Sequence, residues 1–179
     1  MSKRKVAVFI DLANINSGFE ALKRSQNMPE ARMDFQKMIS MLTLGSEVVI
    51  KSVYTETRTN GEEQKKKQKF LDYLSMIGFN VVTKECKVIA SAEGDKNKAN
   101  FDVEIAVDAC RCIWRRDCNE IIFISGDSDF AYLLSEAKKY DIQVTVVSTK
   151  NTVSKELREE ANRIILLDDV DLKQITNLK

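Results

Sequence analysis

The sequence predicts an α/β protein whose mostly parallel sheet carries helices on both faces. Three observations lead there. Short runs rich in Val and Ile alternate with stretches of helical period, the pattern of repeated strand–helix–strand crossovers. Two of those runs, Val6–Ile10 and Ile121–Ile124, are unbroken apolar segments, as strands covered on both faces require. Both stop abruptly at a polar residue, Asp11 and Ser125, and open parallel sheets place their ligands at the carboxyl ends of their strands.

The first strand spans 5–10 and ends at Asp11; Asn14, Asn16 and Gly18 predict a turn into a short helix near 17–24. Residues 25–32 are polar, hold the only proline, Pro29, and read as a loop. Asp34 stands in N-cap position before a helix carrying Phe35, Met38, Ile39 and Leu42 at core spacing, closed by Gly45. Glu47–Tyr54 is the second strand. Asn60 and Glu63 have capping-box spacing before a helix over 61–77, which Gly78 stops. The third strand spans 79–83. Residues 84–98 have no clean period; Val88-Ile89-Ala90 is placed as a hairpin partner of 81–84, and 94–98 as a turn. A helix over 99–115 puts Ile105, Ala106, Ala109 and Ile113 on one face. Val103, Val107, Cys110 and Trp114 widen that stripe, which predicts a well-buried helix. A strand at 120–124, a helix at 128–140, a strand at 142–147, a helix at 153–161 and a short strand at Ile164–Leu167 follow. The interrupted crossover after the third strand places the reversal of strand order between strands 1 and 4. The expected order is 3-2-1-4-5, with the ends of strands 1 and 4 sharing a crevice. No repeat or linker breaks the chain, so 1–179 reads as one domain.

Composition narrows the function. A net charge of +1 excludes a global basic field, so nucleic-acid binding would rest on local patches. No apolar run reaches the roughly 18 residues of a membrane span, and the few apolar residues before Asp11 are too short for a secretory core; a cytoplasmic protein is expected. Cys86, Cys110, Cys112 and Cys118 form no CxxC and read as free thiols. The absence of histidine excludes His-based triads and imidazole ligands, leaving carboxylates, metals and lysine for any hydrolysis.

Asp11 and Asp127 come from adjacent strand ends, Asp129 from the start of the next helix, and Asp102 from the first turn of the long helix on its inward stripe. Carboxylates that converge repel one another unless a cation neutralises them. An oxygen-only set suits Mg²⁺ or Mn²⁺, which bind phosphate oxygens and acidify a bound water. Phosphodiester hydrolysis is the matching chemistry. Each residue also has a structural use: Asp11 as a helix cap, Asp127 as an acceptor for loop amides, Asp129 at a helix dipole, Asp102 as a partner of Lys98. Asp108 is turned away and reads as a cap for a neighbouring element or a partner of Arg111 or Arg115 rather than a metal ligand. Asn14 either closes a turn or orients Asp11 and a phosphate. Lys65, Lys66, Lys67 and Lys69 form either a solvated helix face or, with Lys96 and Lys98, a guide for an RNA backbone. A haloacid-dehalogenase-like phosphatase would need Asp-x-Asp where this chain has Asp11-Leu-Ala.

Three stretches carry a family resemblance. Phe9-Ile-Asp11-Leu-Ala-Asn14 is similar to the FIDxxN opening of the NYN domain family. Lys98-Ala-Asn-Phe-Asp102-Val-Glu-Ile-Ala-Val-Asp108 is similar to its acidic helix, with one residue more between Lys98 and Asp102 than in the tighter pattern. Ser125-Gly-Asp-Ser-Asp-Phe130 matches its SGDSDF motif. The stretches occur in family order, and the resemblance spans roughly residues 5–167, to the LabA-like branch within the PIN-like nucleases. It implies a PIN-like Rossmannoid α/β/α sandwich and Mg²⁺- or Mn²⁺-dependent cleavage of single-stranded RNA. Asp11, Asp102, Asp127 and Asp129 take the acidic roles, with Asn14, Ser125 and Lys98 near the phosphate. A regulatory RNA-binding role without catalysis is the competing implication, and a homodimer is compatible with the chain but has no signature in it.

Overall fold

A computed structural model describes residues 3–57, 62–85, 87–89, 96–98 and 100–177, with the backbone alone at 87–89 and 96–98. In chain order the elements are β1 (Lys5–Asp11), α1 (Leu12–Ser25), β2 (Arg32–Met33), α2 (Phe35–Leu42), β3 (Glu47–Thr57) and α3 (Glu62–Met76). They continue with β4 (Asn80–Glu85), β5 (Lys87–Ile89), β6 (Lys96–Lys98), α4 (Asp102–Arg115), β7 (Glu120–Ile124) and α5 (Ala131–Lys139). The last are β8 (Gln143–Ser148), α6 (Lys155–Glu160), β9 (Arg163–Leu166) and β10 (Thr176–Asn177).

The central sheet has the order β4-β3-β1-β7-β8-β9, with every pairing parallel. This is the expected 3-2-1-4-5, extended by the strand foreseen at 164–167 as a sixth member on the edge. Alternation along β1 explains the two layers. Val6, Val8 and Ile10 pack with Leu12, Phe35 and Leu74 of α1, α2 and α3; Ala7 and Phe9 pack with Ile105, Leu133 and Leu157 of α4, α5 and α6. Full burial of each large aliphatic side chain contributes about 1.5–3 kcal/mol, which makes the centre of this sheet the stable reference for everything on its rim. Among the described residues no helix is long and apolar enough to cross a membrane.

Four expectations need correction. The first helix starts at Leu12, not near residue 17, because the Asp11 side chain accepts the Asn14 N–H at 3.2 Å and caps the helix where the strand ends. The segment 87–89 pairs antiparallel with 96–98, not with 81–84, whose own pairing partner is β3; Ala90, Gly94 and Asp95 lie outside the described residues. The helix after Ser125 opens as a single 3₁₀ turn, Ser128–Phe130, before α5. Finally, α4 is buried on one side only. Ile105, Ala109, Cys112 and Ile113 face the core, whereas Val103, Val107 and Trp114 are 70%, 50% and 59% exposed. The loop around Pro29 also carries the short β2, paired antiparallel with β10 from the C-terminal tail. Asn60 lies outside the described residues, so its capping role does too. Cys110, Cys112 and Cys118 are free thiols, as expected.

Candidate functional site

The strand order brings the carboxyl ends of β1 and β7 together, since Ile10 stands in register with Ile124. Asp11 continues β1 and Ser125 continues β7. Ser125 is fully buried, and its Oγ donates to Asp11 Oδ2 at 3.4 Å. Asn14, one turn into α1, accepts the Gly126 N–H on its Oδ1 at 2.8 Å. Two elements separated by more than a hundred residues are thereby joined by one bond between side chains and one from backbone to side chain at one rim of the sheet. Gly126 is required there: a Cβ would overlap the Thr152 carbonyl, and Ser154 N–H donates to Gly126 O at 3.0 Å.

The Asp127 N–H donates to Ser125 Oγ at 3.3 Å, and Asp127 Oδ1 accepts the Asp129 N–H at 3.1 Å, capping the 3₁₀ turn. Asp127 is half-buried; Asp129 is exposed. Asp102 opens α4, near the positive end of its dipole. Its amide donates to Asn100 Oδ1 at 2.7 Å, and Asn100 Nδ2 donates to Asp102 Oδ2 at 2.6 Å. Burial pushes the Asp11 carboxyl above its ordinary value; the charges of Asp102 and then Asp127 push it the same way, while hydrogen bonds from Asn14 N–H and Ser125 pull it down. Asp102 and Asp127 thus both act on Asp11, and Asp129 shares with Asp102 the lining of a groove between α4 and α5. The donors are carboxylate, amide and hydroxyl oxygens, a set that fits a hard dication. Among the described residues, no three carboxylate or thiol side chains stand close enough to hold a metal as they lie.

The lysines divide. Lys65 is exposed and pairs with Glu62 at 3.1 Å; Lys69 is exposed. Lys67 is folded against β3, with Nζ donating to Thr55 Oγ1 at 2.7 Å. Lys66 lines a depression of about 390 Å³ together with Asn16, Glu56 and Phe70. Lys96 and Lys98 have their backbone in β6, and their side chains lie outside the described residues. Asp108 accepts from Tyr54 Oη at 2.9 Å and from Arg111 at 2.9 Å, the structural use read from its position.

Two groups escaped sequence reasoning. Lys84 reaches the Asn100 carbonyl at 2.8 Å and Glu104 at 2.6 Å, with its ammonium 5.2 Å from the Phe101 ring centre, so it holds the start of α4 that presents Asp102. Its partners lie beyond the irregular 84–98 stretch, where no spacing could signal them. Ser148, Thr149 and Thr152 form a hydroxyl cluster at the end of β8, with Thr152 Oγ1 2.9 Å from Ser148 Oγ and 2.8 Å from Thr149 Oγ1. The strand-end rule that singled out Asp11 and Ser125 would have found it if applied to β8.

Comparison with known proteins places this geometry in context. The NYN domain family matches residues 5–168. Low amplitude and bright protein LabA of Synechococcus elongatus is 34% identical over 104 residues, a stretch covering 56% of this chain and 55% of LabA. The chain thus spans about half the length of that relative. A protein of unknown function from Vibrio parahaemolyticus, VPA0982, superposes with a TM-score of 0.74 at 25% identity, over 98% of this chain and 97% of the other.

Proposed function

This chain belongs to the NYN domain family, a family of PIN-like nuclease type, and from that premise we propose that it is a metal-dependent endoribonuclease acting on single-stranded RNA. The observation that carries the reading is the junction of two strand ends, where Ser125 Oγ donates to Asp11 Oδ2 at 3.4 Å and Asn14 Oδ1 accepts the Gly126 N–H at 2.8 Å. Asp11 is half-buried there, on the same rim as Asp127. Gathering like charges at a rim lowers stability unless a cation joins them.

In this reading Asp11, Asp102, Asp127 and Asp129 hold Mg²⁺ or Mn²⁺, which when bound acidifies a water and neutralises phosphate oxygens. The chain's own groups position the reactants. Asn14 Oδ1 is committed to the Gly126 N–H, which fixes the amide and leaves its Nδ2 hydrogens for a phosphate oxygen. Ser125 holds Asp11 in one orientation. Asp102, at the head of α4, orients the attacking water. Lys66, with Lys65, Lys69 and Lys98, leads the RNA backbone to the rim, while Lys67 is tied to β3.

The test is cleavage of labelled single-stranded RNA with Mn²⁺ by wild type and Asp127→Asn. The reading expects cutting by the wild type and loss of it in the variant; equal rates would sink it. One observation favours a second reading, an RNA-binding regulator without catalysis: among the described residues the carboxylates are not drawn into a closed cluster. In that case neither protein cuts, and both retard RNA on a gel.

A further inference from the structure

Two thiols face one another in the core beneath α4. Cys112 lies in the last turn of that helix and Cys118 just before β7. They are 1% and 3% exposed. The chain between them reverses sharply. Arg116 takes a left-handed conformation with φ at 55°, and the Asp117 N–H donates back to Cys112 O at 3.1 Å. The Asn119 N–H donates to Lys5 O at 2.9 Å, which pins the far side of the turn to β1. The outcome is that the Cys112 S–H donates to Cys118 Sγ at 3.1 Å. Two small apolar side chains in contact would be the plain account of such a pair. Two further observations set it apart.

Donors converge on Cys118. Besides the Cys112 S–H, the backbone N–H groups of Ala7 and Glu120 bond to it. The Cys112 hydrogen bond first, and then these amides, hold the Cys118 thiol below its ordinary value, against burial and the charge of Asp117. Hydrogen bonds to the charged form favour that form, and the thiolate is the reactive form of cysteine. Cys112, in turn, meets a cavity. A space of about 400 Å³ between α4 and β3 is lined by Cys112 with Phe9, Ser52, Asn80, Arg111 and Arg115. Its walls are partly polar, and a water takes only about 30 Å³, so small polar solutes fit. A molecule the size of hydrogen peroxide thus has a way to Cys112 despite its burial.

We propose that Cys112 and Cys118 form a modification site for small hydroperoxides, which convert the pair to a disulfide within the chain. The ionised pair shares one proton. With that proton on Cys118, the Cys112 thiolate attacks a peroxide oxygen. An S–O bond forms, the O–O bond breaks, and the departing hydroxide takes a proton from solvent to become water. Cys112 is then a sulfenic acid. The Cys118 sulfur attacks the Cys112 sulfur, the S–S bond forms and the S–O bond breaks. The hydroxide leaves with the Cys118 proton as a second water. Two thiols are oxidised by two electrons, and the peroxide is reduced by the same two. Closing the gap from 3.1 Å to an S–S bond of about 2.05 Å takes about 1 Å of movement. The bond ties the end of α4, which presents Asp102, to the start of β7, which leads to Asp127.

The experiment uses the full chain carrying Cys86→Ser and Cys110→Ser, reduced and free of metal, so that these two thiols alone remain. Hydrogen peroxide is added in graded amounts, remaining thiols are blocked with iodoacetamide, and intact and digested masses are read. Both thiols should disappear together into one cross-linked peptide within a single chain, and dithiothreitol should restore them. The loss should be about tenfold faster in the folded chain than in urea at the same pH, because the folded pair holds the larger thiolate fraction. Adding Cys118→Ser should stop the reaction at a sulfenic acid on Cys112, trapped by dimedone. Should that variant fail to fold, the comparison of folded and urea-unfolded chains decides alone. Thiols that survive, thiols that join between chains, or a reaction no faster in the folded chain overturn the proposal. A folded Cys118→Ser chain that takes no dimedone overturns it too.

Discussion

Asn14 accepts the Gly126 N–H at 2.8 Å, and this one bond ties the end of β1 to the loop after β7. Gly126 is buried, so its amide has no water to turn to. Asn14→Ala should therefore leave an unsatisfied buried donor and lower stability by about 1–3 kcal/mol. For a chain of this size that is about 2–4 °C of melting temperature per kcal/mol. A thermal melt within about 1 °C of wild type would show that the latch carries no weight.

Gly126→Ala tests the same loop from its other side. The new Cβ would overlap the Thr152 carbonyl, a backbone group held by the bonds of residues 149–154. Overpacking of this sort costs typically about 1–3 kcal/mol. The expected result is a lower urea midpoint with an unchanged slope. An unchanged midpoint would mean the loop gives way freely.

The meeting of these two strand ends was legible in the sequence because Val6–Ile10 and Ile121–Ile124 are unbroken apolar runs, buried throughout, and each ends at a polar residue. Apolar strands are buried centrally, and central parallel strands have to be neighbours at the reversal of order. What misled was the stripe on α4. A seam at Val103, Val107, Cys110 and Trp114 and a core face at Ile105, Ala109 and Ile113 both obey helical spacing, so one reading merged two faces. The start of α1 was missed because Asp11 serves as both strand end and helix cap, which leaves no turn between them. The β5–β6 hairpin was missed because Lys96-Asn97-Lys98 shows no alternation of apolar and polar residues.

Asp11 offers a pH test with a defined sign. Its folded-state value is raised, first by burial and then by Asp102 and Asp127, so folding favours the protonated acid. Its contribution to stability is complete below the ordinary carboxylate value of about 3.9 and is lost as the pH rises through the raised folded value. Asparagine at this position keeps an N-cap acceptor and has no such loss. Relative to its own standing against wild type at low pH, Asp11→Asn should gain stability as the pH climbs above the carboxylate range. Urea midpoints of both proteins over that range decide it. A difference that stays flat with pH would contradict the raised value.

The same variant separates stability from metal binding. A ligand that binds the folded state alone adds RT ln(1 + [L]/Kd), or about 2.7 kcal/mol at a hundredfold excess over Kd. Wild type should therefore melt higher with Mn²⁺ present. Asp11→Asn, whatever its melting temperature without metal, should respond less. Equal shifts in the two proteins would remove Asp11 from the set of metal donors.

The lysine run makes the last distinction. Lys67 Nζ donates to Thr55 Oγ1 at 2.7 Å, so its amine supports β3. Lys66 is exposed at the edge of the depression it shares with Asn16, on the rim where α1 begins. If RNA passes this rim, Lys66→Ala should lower the salt dependence of binding by about 0.7 in the log–log slope, the signature of one lost phosphate contact on a single strand. Lys67→Ala should leave that slope nearly unchanged and act on the melting temperature instead. Binding isotherms at several salt concentrations would resolve the two. The reverse assignment, with Lys67 carrying the slope, would mean that its bond to Thr55 is exchanged for one to phosphate when RNA arrives.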